Sequence, residues 1–113
     1  MIREICEMLS RKPMTIAMIA LLSIAGGVQA AGDAERGQDL TFDCVECHGY
    51  DGKGDFETPN IAGLNEAYIL KQLREFYSGK QKSLDDMMHI YTEDRTDQEL
   101  QDLAAYWSSL DSK

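Results

Sequence analysis

Cys44 and Cys47 stand three apart, and His48 lies directly behind the second, in the run CVECHGYDGKGD over residues 44–55. Thiols and an imidazole at that spacing suit three chemistries. A redox dithiol uses C-x-x-C at the start of a helix after a buried strand, where the helix N-terminus lowers a thiol pKa. Here no strand pattern precedes Cys44, and the pair falls at the end of a predicted helix. A zinc site needs four ligands. Beyond the first 30 residues the chain offers Cys44, Cys47, His48 and His89 as sulfur or nitrogen donors, and the adjacent side chains of Cys47 and His48 diverge from any single tetrahedral centre. The third chemistry uses every residue of the motif. Two thiols one helical turn apart can each add to a vinyl group on one edge of a porphyrin, while the histidine just beyond reaches the ring centre to bind iron. C-x-x-C-H is thus a c-type haem attachment signature, for one covalently bound haem c.

With His48 on one side of an iron, the other side is either filled or open, which separates an electron carrier from a gas-binding or catalytic haem. The run KQKSLDDMMHIYTEDR over residues 80–95 supplies the candidates. Met88, on a loop about forty residues downstream, is the first choice as axial ligand, and Met/His ligation raises the reduction potential relative to two imidazoles. Met87 is the alternative, and His89 a third, which would give a lower potential. Methionines in such a loop also serve simply as filler for a small core. Met/His ligation leaves no place for substrate, so the chain reads as an electron carrier and not as an enzyme. A five-coordinate sensor or peroxidase is the reading if no methionine binds, and the chain shows no distal acid–base pair for it.

Three helical stretches must position these residues. The first is predicted from Asp33 as cap through AERGQDLTFDCVEC, with Leu40 and Cys44 on one face at a spacing of four. The second starts at Asn65 and carries Ile69, Leu70, Leu73, Phe76 and Tyr77 along one side until Gly79 stops it. The third opens on Thr96-Asp97-Gln98-Glu99, which fits a capping box, and presents Leu100, Leu103, Ala104, Trp107 and Leu110 as an apolar stripe. The glycine-rich GYDGKGD segment reads as the turn that releases the chain from the haem edge. It lacks the flanking strand and helix of a phosphate-binding loop.

Residues 1–30 read differently. Arg3, Arg11 and Lys12 precede an apolar run over residues 14–28, and Val28-Gln29-Ala30 is a small-x-small end, the layout of a secretory signal peptide cut after Ala30. The apolar run is shorter than the roughly 20 residues of a membrane span. Cys6 leaves with this leader. Residues 31–113 then form one exported domain, and the mature chain has no membrane span. The whole chain carries a formal net charge of −9 at pH 7, and cleavage removes Arg3, Arg11 and Lys12 against only Glu4 and Glu7. Such an acidic domain is a poor match for nucleic acid or anionic lipid and a good one for partners with basic docking surfaces.

Over residues 34–110 the chain resembles the small bacterial class I c-type cytochromes. The likeness rests on Gly37, CVECHGYDGKG, PNIAGL at 59–64, YILKQLREFYSG at 68–79, the methionine segment, and TDQELQDLAAYW at 96–107. It implies an all-α class I cytochrome c fold, three main helices wrapped around one covalent haem, in a periplasmic electron-transfer protein. It further implies thioethers at Cys44 and Cys47, His48 as the proximal ligand, and Pro59 as the residue whose carbonyl accepts the other imidazole N–H. Gly37 would lie where the first helix crosses the last, against Tyr106. Family members place the methionine ligand seven residues before the apolar residue that precedes the last helix's cap. Arg95 holds that slot, which gives Met88, and a charge there departs from the family pattern. The stretch IAGLNEAYILKQLREFYSGK is similar also to the haem subunit of flavocytochrome c sulfide dehydrogenases, so a flavoprotein partner subunit is the alternative to a free shuttle.

Overall fold

The computed structural model describes residues 32–113; the expected leader lies outside them. Five α-helices follow in order: α1 Ala34–Asp39, α2 Val45–His48, α3 Glu66–Tyr77, α4 Met87–Thr92 and α5 Asp97–Ser109, with a 3-10 turn at Leu84–Asp86 leading into α4. Among the described residues there is no strand, and no helix is long and apolar enough to cross a membrane.

Helix α5 forms the axis on which α1 and α3 pack. Its start follows the capping box: Thr96 Oγ1 accepts from the Glu99 N–H at 3.2 Å, and Glu99 Oε2 accepts from the Thr96 N–H at 2.8 Å. Two otherwise orphaned donors are thereby satisfied. The apolar stripe expected on α5 is buried at Leu100, Leu103, Ala104 and Trp107. Ile69 and Leu73 of α3 close the cluster from the other side. Asn65 Oδ1 caps α3 by accepting from the Tyr68 N–H, and the Arg74 guanidinium grips the Asp97 carboxylate through two bonds of 2.7 and 2.8 Å, joining α3 to the start of α5.

Where α1 crosses α5 the backbones nearly touch. A Cβ at Gly37 would stand 2.0 Å from the Asp102 carbonyl oxygen and 2.8 Å from Tyr106 Cβ, so glycine alone allows this crossing. The buried Asp102 carboxylate reinforces it, with Oδ1 accepting from the Asp33 N–H at 2.7 Å and from Gln98 Nε2 at 3.0 Å, and Oδ2 lying 3.3 Å from Arg36 Nε.

Two expectations about elements are corrected. The first helix does not run through Cys47 but stops at Asp39, because the Leu40 and Thr41 N–H groups bond back only three residues, to Gly37 and Gln38. The Thr41 hydroxyl also takes the Gln38 carbonyl at 2.7 Å, the side-chain competition that ends helices. The chain turns and restarts as α2, with Cys44 at its N-cap rather than at a helix end. The methionine segment is likewise no loop: Met87 and Met88 open α4, reached through Asp85 and Asp86, both left-handed at φ 54° and 55°.

Candidate functional site

Cys44, at the N-cap of α2, and Cys47, within it, are thiols set about one turn apart and not joined in a disulfide, the first partly buried and the second exposed. Burial pushes the Cys44 thiol above its ordinary pKa, with the Asp43 and Cys47 charges adding to the rise and the Arg95 guanidinium opposing it. The helix N-terminus beside Cys44 therefore does not make it the acidic thiol of a redox pair.

His48 is only 7% exposed. Its Nδ1 lies 3.0 Å from the Pro59 carbonyl oxygen. A carbonyl can only accept, so Nδ1 carries the proton and Nε2 keeps its lone pair. Desolvation lowers the His48 pKa against the upward pull of the Pro59 bond and of Asp55, which favours the neutral ring. The ring stands beside Trp107, centroids 6.4 Å apart at 50°.

The glycine-rich segment does more than release the chain. It brings Pro59 back over His48: the Gly54 N–H donates to the His48 carbonyl at 2.8 Å, and the Ile61 and Ala62 N–H groups both reach the Gly52 carbonyl. Asp55 Oδ1 accepts from the Glu57 and Thr58 N–H groups at 2.9 and 2.8 Å, fixing the bend before Pro59; these bonds hold the Asp55 carboxyl below its usual range. A Cβ at Gly54, whose φ is +66°, would meet the Thr58 carbonyl oxygen at 2.1 Å.

Met88 packs, partly buried, against the cluster of Ile69, Leu73, Leu100, Leu103, Ala104 and Trp107, which Cys44 and Val45 also touch. Met87 is 40% exposed and does not join that cluster. The Met88 backbone is clasped at both ends, its N–H donating to Ser83 Oγ at 2.9 Å and its carbonyl accepting from the buried Thr92 hydroxyl at 2.7 Å. His89 has partners of its own: Nδ1 donates to the Phe76 carbonyl at 2.8 Å, and Nε2 stands 3.3 Å from Glu93 Oε2.

Two free thiols one turn apart, a neutral imidazole with Nε2 available and a thioether on the same apolar cluster fit a covalently bound haem. The sequence reading missed Asp55, Ser83 and Thr92 as supports. Asp55 lay in view as an Asx residue four before a proline; Ser83 and Thr92 gave no signal, since a hydroxyl near a methionine has no distinctive spacing.

The family model described as Cytochrome c matches residues 34–111. Cytochrome c4 of Pseudomonas aeruginosa is 37% identical over 97 residues, covering 85% of this chain and 47% of that protein. The cytochrome subunit of sulfide dehydrogenase of Chlorobaculum tepidum is 29% identical over 110 residues, covering 88% of this chain and 98% of that protein. Among solved structures, cytochrome c4 of Acidithiobacillus ferrooxidans superposes with a TM-score of 0.63 at 33% identity, over 74% of this chain and 52% of that one. The chain spans about half the length of the cytochrome c4 proteins it matches. The all-α class I fold expected from the sequence is the observed one.

Proposed function

The chain belongs to the cytochrome c family, and on that premise we propose that it is a periplasmic electron-transfer protein with one haem c, attached through Cys44 and Cys47 and bound at iron by His48 and Met88. When bound, the haem supplies a one-electron Fe(III)/Fe(II) couple. Cys44 and Cys47 would anchor it, each thiol adding across one vinyl group. His48 offers Nε2 because Pro59 holds the Nδ1 proton, the kind of outer contact that fixes a ligand's tautomer and orientation. The observation that carries the reading is this Nδ1–H···O bond of 3.0 Å directly beside the paired thiols. For Met88 over Met87, the support is contact with the apolar cluster and the clasp by Ser83 and Thr92.

Residues 1–30 act in this reading as a leader cut after Ala30, and the acidic mature domain meets redox partners through basic surfaces. A second reading is favoured by one observation: the chain matches almost the whole of a sulfide dehydrogenase cytochrome subunit. In that role it would take electrons from a flavoprotein subunit. Denaturing intact mass of the protein, recovered from the periplasm of a host able to mature c-type cytochromes, tests the main claim. Residues 31–113 plus one haem is the expected mass; the same residues without haem would refute it. Co-purification with a flavoprotein in the native cell would favour the second reading.

A further inference from the structure

Arg95 occupies a place its neighbours do not predict. It follows α4 directly and precedes the Thr96 cap, yet its side chain is only 20% exposed and turns inward to the attachment segment. Nη2 stands 3.4 Å from the Leu40 carbonyl oxygen and 3.6 Å from Asp43 Oδ2. Asp43 adjoins Cys44. The acidic groups around the guanidinium are Asp43, Asp94 and Glu99, and Asp43 is itself 45% exposed. Of the two partners the guanidinium is the more deeply buried, 20% exposed against 45%, so its charge is the less screened by solvent.

We propose that Arg95 is a positioning residue for charge: it holds a fixed cation against the Cys44 edge of the site and thereby raises the reduction potential. This rests on the haem reading above. A nearby positive charge favours the form carrying one electron more, and partial burial protects the effect from salt screening. Arginine suits the place because its rigid fork spans a carbonyl and a carboxylate together, as lysine's single ammonium does not.

The test uses the full chain matured in a competent host, as wild type, Arg95→Leu, Arg95→Lys and Asp43→Asn. Midpoint potentials are read by spectroelectrochemistry. Methionine ligation is read from the ferric sulfur-to-iron charge-transfer band. Arg95→Leu should keep the band and weaken reduction about threefold, roughly 28 mV at 59 mV per tenfold for one electron. Arg95→Lys should restore most of that loss, and Asp43→Asn should shift the potential upward. An Arg95→Leu protein with the wild-type potential would overturn the proposal, and so would loss of the band, which would make Arg95 a strap for α4. A wild-type chain without haem would overturn the haem reading and this proposal together, and is told apart because it appears before any variant is made.

Discussion

At Met88 and Met87 two chemically identical side chains stand side by side, and only their surroundings distinguish them. Met88 touches the cluster shared with Cys44, while Met87 is exposed. Met88→Leu should therefore abolish the ferric sulfur-to-iron band and open the reduced protein to carbon monoxide, whereas Met87→Leu should leave both as in wild type. Asp102 carries a different prediction. Burial alone would raise its carboxyl pKa, but the Asp33 N–H, Gln98 and Arg36 outweigh burial and hold it below its ordinary value. A depressed folded pKa means that the stabilisation is complete above the unfolded value of about 3.9 and disappears as pH falls through the folded value. Asp102→Asn should cost about 1–3 kcal/mol at pH 7. The variant's urea midpoint should also fall less steeply than the wild type's below about pH 4. At this scale the motif CVECH was legible from residue type and spacing, whereas the His48–Pro59 pairing, which spans 11 positions, was legible only through the family resemblance. The contact of Arg95 with Leu40 was not: the partner is a backbone carbonyl 55 positions earlier, and nothing local marks it.

Helix starts are written locally in the sequence, and helix ends and short helices less so. Asn65 and Thr96 cap α3 and α5 as their side chains suggested, since capping depends on three or four adjacent residues. The stop at Asp39 and the restart at Val45 depend on 3-10 bonds and on the Thr41 hydroxyl, while Leu40 and Cys44 still reach the apolar cluster across the break. Helix α4 escaped notice because six residues are too few for an apolar period to show. Removing the Thr96 hydroxyl (Thr96→Ala) should lower stability by about 1 kcal/mol in chemical denaturation. Gly37→Ala should be far more severe, about 3 kcal/mol or more, because its methyl would have to occupy space 2.0 Å from the Asp102 carbonyl. A Gly37→Ala protein with a wild-type melting temperature would show that the α1–α5 crossing can widen at little cost.

Over the whole molecule the charge balance decides how partners approach. With 20 acidic against 11 basic residues, encounter with a basic redox partner should be electrostatically accelerated. Its second-order rate should fall roughly tenfold or more as ionic strength rises from about 10 to 200 mM, measured by stopped-flow. A rate indifferent to salt would point instead to docking through the exposed Phe42, Tyr50 or Phe56. The acidic character was plain from composition, whereas the contact surface depends on which residues the fold turns outward. The Pro59 bond to His48 has one more consequence, for the order of events during maturation. It spans 11 positions, and its supporting bonds at Gly54, Asp55 and Ile61 all lie within that segment or at its edge. Closing so small a ring costs about 1 kcal/mol less entropy than bringing in Met88 from about forty positions away. The proximal half of the site can thus assemble early in a chain still largely open, leaving the thiols accessible to attachment enzymes before α4 brings Met88 in.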